Sequence, residues 1–222
     1  MKAIILAGGR GKRLRPITDY VPKPLIPINN IPIIEWQIRY LKKFGISEAI
    51  ICSGYKTEMI ENYVKNKKLG IKISFSIENK PLGTGGAIKK AAKKINDKSF
   101  LVINGDIITN IDLKKLFKKD NSIAAIQLRT KFGILQTDND KIIKFDEKKE
   151  ISDIWMNAGI YHLNKDTVKE LPNVGDIEKT LFPKFAKKEK LFTIKFRNTP
   201  WYSIDSFKDM EESSAVVEKI IK

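Results

Sequence analysis

The residues best suited to chemistry crowd the first twenty-five positions. The apolar run Lys2–Ala7 empties into Gly8 and Gly9, and Arg10-Gly11-Lys12-Arg13-Leu14-Arg15-Pro16 follows. Three of the six arginines (Arg10, Arg13, Arg15) stand in this stretch, while the remaining positive charge is nearly all Lys. An arginine offers a planar fork of donors that matches phosphate oxygens, which a lysine does not. Glycines without a Cβ let a ligand's oxygens reach backbone N–H groups. The natural guest of such a loop is a polyphosphate. Two familiar phosphate loops are excluded by spacing. A Walker A loop would need a glycine at Leu6 and a hydroxyl at Arg13, and a dinucleotide fingerprint would need a glycine at Leu14.

Further candidates lie downstream. Asp106 follows Asn104-Gly105 at the end of an apolar run, where a carboxylate facing a polyphosphate would anchor Mg²⁺. Lys23 sits between Pro22 and Pro24 on a segment with few accessible conformations. Glu78-Asn79-Lys80-Pro81-Leu82-Gly83-Thr84-Gly85-Gly86-Ala87 is a second glycine-rich loop that opens a helix.

The elements that must position these groups follow from periodicity. Lys2–Ala7, Glu48–Cys52, Ile71–Ile77 and Phe100–Asn104 read as strands. Pro32–Phe44 carries Ile34, Ile38, Leu41 and Phe44 at helical spacing and stops at Gly45. Thr57–Asn66, with Thr57 as cap, and Thr84–Ile95 are further helices. Strand and helix alternating at this interval predict an α/β fold, a three-layer Rossmann-like sheet that is mostly parallel, with helices on both faces. Ligands of such sheets bind beyond the carboxyl ends of the strands, where the first loop, the loop around Thr84 and Asp106 can meet. After Asp106 the rhythm changes. A short helix at Ile111–Phe117 precedes strands at Ala124–Leu128, Phe132–Gln136 and Ile142–Asp146, which suggest a lobe built on the core. A strand at Ala158–Leu163, a helix at Ile177–Phe185, a strand at Phe192–Phe196 and a terminal helix at Ser206–Ile221 complete the pattern. The chain is read as one domain in three stretches: a core over 1–112, a lobe over 113–200 and a last segment with the terminal helix over 201–222.

Leu6-Ala7-Gly8-Gly9-Arg10-Gly11-Lys12-Arg13-Leu14-Arg15-Pro16 and Pro22-Lys23-Pro24-Leu25 resemble the two signature segments of the sugar-1-phosphate nucleotidyltransferases, with Lys12 where that family usually has Thr. The resemblance implies that Leu6, Ala7, Gly8, Gly9, Arg10, Gly11, Glu78, Pro81, Gly83, Thr84 and Gly85 bind the nucleotide. It implies that Arg13, Lys23 and Asp106 are catalytic, with Lys23 touching phosphate in the transition state. Phe145-Asp146-Glu147-Lys148, Asn157-Ala158-Gly159-Ile160-Tyr161 and Asp176-Ile177-Glu178-Lys179 are similar to the family's sugar segments. The resemblance further implies that Gly105, Glu147, Lys148, Asn157, Gly159 and Glu178 bind the sugar, with Lys148 on its phosphate. The family's second metal aspartate has two registers here, because Trp201-Tyr202-Ser203-Ile204-Asp205-Ser206 overlays either Ser203 or Asp205 on it. A carboxylate serves Mg²⁺ better than a hydroxyl, so Asp106 and Asp205 are the expected ligands.

Composition excludes other classes. A net charge of +16 invites a nucleic-acid reading, yet the lysines are spread along the chain as pairs such as Lys42-Lys43 and Lys114-Lys115 on helix faces. No specific nucleic-acid partner is expected. A lone Cys52 and a lone His162 leave no cysteine or histidine metal site, and His162 is read as structural. No membrane-spanning run or secretory leader stands out, so a cytoplasmic location is expected. The expected partners are a nucleoside triphosphate and a sugar 1-phosphate, with a second copy of the chain also admitted. The expected reaction gives a nucleotide sugar and pyrophosphate, GTP and mannose 1-phosphate being favoured over UTP, CTP or dTTP with glucose 1-phosphate. A catalytically silent nucleotide-sugar sensor is the alternative from another class.

Overall fold

The computed structural model describes residues 1–130, 132–147 and 150–221, the side chains of 129 and 150–153 excepted. The strands are β1 (Lys2–Leu6), β2 (Pro27–Ile28), β3 (Ile31–Pro32), β4 (Glu48–Ser53), β5 (Lys72–Ile77), β6 (Ser99–Asn104) and β7 (Ile107–Thr109). They continue as β8 (Ser122–Arg129), β9 (Ile134–Asp138), β10 (Lys141–Asp146), β11 (Glu150–Asn164), β12 (Phe192–Phe196) and β13 (Trp201–Ser203). The helices are α1 (Ile17–Tyr20), α2 (Ile33–Lys43), α3 (Thr57–Lys65), α4 (Gly83–Ala92), α5 (Leu113–Leu116), α6 (Leu181–Lys187), α7 (Phe207–Ser214) and α8 (Val217–Ile221).

Seven strands form the central sheet in the order β12-β8-β11-β6-β1-β4-β5. All neighbours run parallel except β11, which is antiparallel to both β6 and β8. Successive side chains of the buried strands point to opposite faces and feed two separate cores. Ala3, Ile5, Leu101 and Ile103 pack with α2, α3 and α8, while Ile4, Phe100 and Val102 pack with α4 and α6. That double burial is why these strands are continuous apolar runs and not alternating ones. The parallel strands β1, β4, β5 and β6 all deliver their carboxyl ends to one edge. The loops that carry Gly8, Gly54, Glu78 and Asp106 therefore share that edge.

The segment 113–200 contributes β8, β11 and β12 to this sheet, and only the β9–β10 hairpin stands outside it. Ile142, Ile143 and Phe145 of the hairpin are exposed. Several boundaries differ from expectation. The strand expected at 158–163 is the last part of the fifteen-residue β11, whose register with β8 shifts between Asn157 and Tyr161. The helix expected from 177 begins at Leu181, after turns. The terminal helix is broken between α7 and α8. Thr57 does not cap α3; Lys56 holds that position in a left-handed conformation, and the Thr57 hydroxyl donates to the Gly54 carbonyl (3.1 Å). Among the described residues no helix is long and apolar enough to cross a membrane.

One contact fixes the edge on which the site is built. The Gly105 amide donates to the Leu6 carbonyl at 2.8 Å, and a Cβ at position 105 would lie 2.4 Å from that same oxygen. Gly105→Ala is expected to force β1 and β6 apart and to cost about 1–3 kcal/mol, as overpacked positions do. Urea denaturation of the variant against the parent measures it.

Candidate active site

Three sequence-distant segments meet beyond β1 and β6. In the first loop, the buried Leu14 anchors a short turn over Lys12–Leu14 and leaves Arg13 at the surface. Gly11 takes φ +62°, and the Thr18 hydroxyl donates to its carbonyl at 3.1 Å. The second segment is Pro22-Lys23-Pro24, where the Leu25 amide donates to the Pro22 carbonyl (2.8 Å) and closes a tight turn. The third is β13 and the residues after it, tied to the site by Ile204 N–H donating to the Asp106 carbonyl at 3.0 Å.

Lys23 is the centre of this junction. Its side chain is 13% exposed, and Nζ donates to Asp106 Oδ2 at 2.6 Å and to Asp205 Oδ1 at 2.9 Å. Arg13 pairs with the other oxygen of Asp205 at 3.0 Å, and the Ser203 hydroxyl donates to that oxygen at 3.1 Å. The carboxylate that faces Asp106 across Lys23 is therefore that of Asp205, with Ser203 beside it. Asp205 does not cap the following helix. Ser206 does, its hydroxyl accepting from the Asp209 amide (3.2 Å) while Asp209 accepts from the Ser206 hydroxyl and the Asp205 amide. Burial works to raise the Asp205 carboxyl, but the hydrogen bond and charge of Lys23, with Arg13 and Ser203, hold it below the ordinary aspartate value.

A cavity of about 250 Å³ opens over this junction, lined among others by Leu6, Ala7, Gly9, Gly11, Arg13 and Lys23. It shares Leu6, Gly9, Gly105 and Asp106 with a larger one of about 580 Å³. That second cavity runs between Gly8 and Arg10 on one side and Glu78, Pro81, Gly83 and Thr84 on the other. Glu78 accepts from the Leu82 amide (3.0 Å) and lies against Gly8. Burial pushes its carboxyl above the ordinary glutamate value, against the pull of the Leu82 amide and Lys90.

The other expected residues are distributed less simply. Gly85 is buried under Pro172 and its amide donates to the Gly175 carbonyl (2.9 Å), so that N–H is engaged within the protein. Glu178 accepts from the Thr84 hydroxyl (2.6 Å) and the Tyr161 hydroxyl (3.1 Å), and Tyr161 accepts from the Asn157 amide (3.0 Å). Asn157 also accepts from the Gly159 N–H (2.8 Å), and Gly159 lies against the Asn104 side chain. Asn157, Gly159 and Glu178 are thus joined to the glycine-rich loop that opens α4. Glu147 is exposed on the hairpin beside Gly133 and lines neither cavity. Lys148 lies outside the described residues. Sequence reasoning missed Gly54, Tyr55 and Lys56, which follow β4 and line the larger cavity. The Arg10 guanidinium sits 5.7 Å from the Tyr55 ring centroid, and the Tyr55 hydroxyl donates to the Thr18 carbonyl (2.9 Å). The position of Tyr55 at the carboxyl end of a parallel strand was the available signal.

The donor set suits a hard divalent cation. Two carboxylates approach one point from separate segments, and a positive charge already lies between them. Among the described residues no cluster of three or more acidic, histidine or cysteine side chains could hold a metal alone. An ion here would complete its shell with phosphate oxygens and water, as Mg²⁺-type sites do.

A Rossmann-like sheet with a glycine–arginine loop after its first strand, and two aspartates bridged by a lysine at its edge, defines an enzyme class that handles nucleoside polyphosphates. The chain belongs to the nucleotidyl transferase family, whose profile matches residues 2–219. It is 44% identical over 173 residues to the D-glycero-α-D-manno-heptose 1-phosphate guanylyltransferase of Aneurinibacillus thermoaerophilus, covering 74% of this chain and 75% of that protein. It is 34% identical to the mannose-1-phosphate guanylyltransferase catalytic subunit beta of Dictyostelium discoideum, over 94% of this chain and 62% of that longer protein. The crystal structure of HddC from Yersinia pseudotuberculosis complexed with GMP-PN superposes with a TM-score of 0.76 at 30% identity, covering 96% of this chain and 98% of that one.

Because the Asp205 carboxyl is held low in the fold, its contribution to stability is full above the unfolded aspartate pKa of about 3.9 and is lost as pH falls through the folded value. Lys23→Met should abolish that contribution and leave two carboxylates facing each other. The variant should then lose stability against the parent at neutral pH and recover part of the difference on acidification. Urea midpoints from neutrality to well below the ordinary aspartate pKa test this; a pH-independent difference would contradict it.

Proposed function

We propose that the protein transfers a guanylyl group from GTP to the 1-phosphate of a mannose-type hexose or heptose and releases pyrophosphate. The observation that carries the reading is the meeting of Arg13, Lys23, Asp106 and Asp205 in one cavity that opens into a nucleoside-sized second one. The relatives' guanylyltransferase activities support the choice of reaction.

In this reading, Arg13 and Arg10 hold the β- and γ-phosphates beside the amides of Gly8, Gly9 and Gly11. Asp106 and Asp205 would hold Mg²⁺, which when bound neutralises charge on the phosphates. Lys23 leaves the carboxylates and pairs with the α-phosphoryl group. An oxygen of the sugar phosphate attacks the α-phosphorus in line, its new P–O bond forming as the bond to the bridging oxygen of pyrophosphate breaks. The attacking oxygen is already anionic, so no side chain needs to take a proton. Positioning and charge neutralisation supply the acceleration. Residues 1–112 serve the nucleotide and 113–200 the sugar, with Glu147, Lys148, Asn157, Gly159 and Glu178 on the sugar side.

Glu78 favours guanine over the other bases. Guanine presents two adjacent donors, N1–H and the N2 amino group, which a carboxylate accepts together. Uracil and thymine offer one donor between two carbonyls, and cytosine sets its amino group beside an acceptor. A carboxylate in the nucleoside cavity suits the first pattern and opposes the others.

A matrix of the four triphosphates against mannose, manno-heptose and glucose 1-phosphates, read by pyrophosphate release, tests the assignment. GTP with a manno-configured sugar should be fastest; nucleotide binding with no pyrophosphate in any pairing would identify a sensor instead. Glu78→Gln should raise the KM for GTP by about 10- to 100-fold, the equivalent of ~1.5–3 kcal/mol for a charged hydrogen bond. In the parent that KM should rise as acid approaches the ordinary glutamate pKa of about 4.3 from above, because protonation removes an acceptor from a carboxyl whose pKa burial has raised. The variant should lack this dependence.

A further inference from the structure

Gln37 is a polar side chain that nothing in the proposed chemistry uses, buried in the middle of α2 at 1% exposure. Its neighbours Ile33, Ile34, Ile38 and Leu41 make the apolar core beneath the sheet. An amide in such surroundings is costly unless its hydrogen bonds repay the loss of water. Gln37 Nε2 donates to the Asn104 carbonyl at 2.7 Å and to the Ile107 carbonyl at 3.1 Å. These two oxygens flank Gly105 and Asp106, so one amide group clasps both ends of the turn that presents the Asp106 carboxylate. The Oε1 atom is buried and has no hydrogen-bond partner. Rotating the amide to satisfy it would set oxygen against two carbonyls. The observed orientation is therefore enforced by the turn, at the expense of the orphaned acceptor.

A core residue chosen for stability alone would be apolar here, as Ile33, Ile34, Ile38 and Leu41 of the same helix are. The turn needs the clasp because its other ties are few. Gly105 N–H is bonded to Leu6 and the Asp106 carbonyl accepts from Ile204, whereas the carboxylate itself is held by Lys23. When Lys23 moves to the substrate, the direction of the carboxylate rests on the backbone turn.

We propose that Gln37 is a positioning residue that aims Asp106 at the divalent cation, a role that rests on the reading of Asp106 as a cation ligand. Groups that orient metal ligands from behind change affinity or activity by about 10- to 100-fold when removed. Gln37→Met keeps length and apolar packing but removes the clasp. The probe is Mn²⁺ binding to the protein–GTP complex, followed by electron paramagnetic resonance, alongside GTP affinity measured in EDTA. Gln37→Met is expected to weaken Mn²⁺ by about 10- to 100-fold while GTP affinity without metal stays at the parent value. Wild-type Mn²⁺ affinity in Gln37→Met, with Asp106→Asn strongly weakened, would overturn the role of Gln37 alone. Unweakened Asp106→Asn would overturn the cation-ligand reading and this inference with it. Should Gln37→Met fail to fold, Gln37→Glu decides. A carboxylate can donate to neither carbonyl, whereas its protonated form can donate one hydrogen bond to one of them, so Mn²⁺ binding relative to the parent should recover in part on acidification, and a flat ratio would refute the clasp.

Discussion

The architecture of the site depends on one ammonium group held between two carboxylates. Asp106 and Asp205 come from segments 83 and 182 residues away from Lys23, and each brings a negative charge to a partly buried point. Without the lysine their mutual repulsion would push β13 away from the end of β6. With it, the proline-bracketed turn, the end of β6 and the strand before α7 become one unit. The same charge marks where a cation is acceptable. On the proposed reading, a site preformed around Lys23 would need little rearrangement to exchange one positive charge for another, and the released lysine would remain close to the phosphates.

Much of this was legible in the sequence because the strands are buried on both faces. Lys2–Leu6, Glu48–Ser53 and Ser99–Asn104 are continuous apolar runs, a pattern that parallel sheets produce and exposed hairpins do not. The loops after them follow from the rule that such sheets bind ligands at their carboxyl edge, so the sequence alone places the glycine–arginine loop and Asp106 together. The Ser203/Asp205 ambiguity could not be resolved that way. It turns on whether the Asp205 carboxylate is spent on capping α7, and Ser206 and Asp209 take that role by pairing with each other.

What escaped the sequence was mostly tertiary. In β11 the shift of register between Asn157 and Tyr161 sets Asn157 toward Tyr161 and Glu178, and no local pattern announces where a long strand will slip. The second glycine loop was legible as a motif, but not in how its parts are used. Gly85 and Gly86 both donate to the Gly175 carbonyl, and Cβ atoms there would strike Pro172 and Asn173. Those glycines let one loop lie on another. One wall of the larger cavity is then formed by what that packing displays, namely Glu78, Pro81, Gly83 and Thr84.

The polar residues of α2 extend the same logic below the sheet. Trp36 donates to the Ile28 carbonyl (2.8 Å), Gln37 to the turn around Asp106, and Tyr40 to the Ile111 carbonyl (2.6 Å). Three side chains within little more than one turn of helix each spend their polar end on a backbone carbonyl of an irregular segment. An apolar side chain at these positions would leave each carbonyl without that donor. The helix is buried on most of its circumference, whereas β2 and β7, two of the strands it holds, have only short pairings, with β3 and β13. Precision at the edge of the sheet is in this way drawn from its most regular neighbour. The same principle accounts for a core amide with an unsatisfied oxygen: the orphaned acceptor destabilises the helix face, and the turn that carries the site gains the geometry.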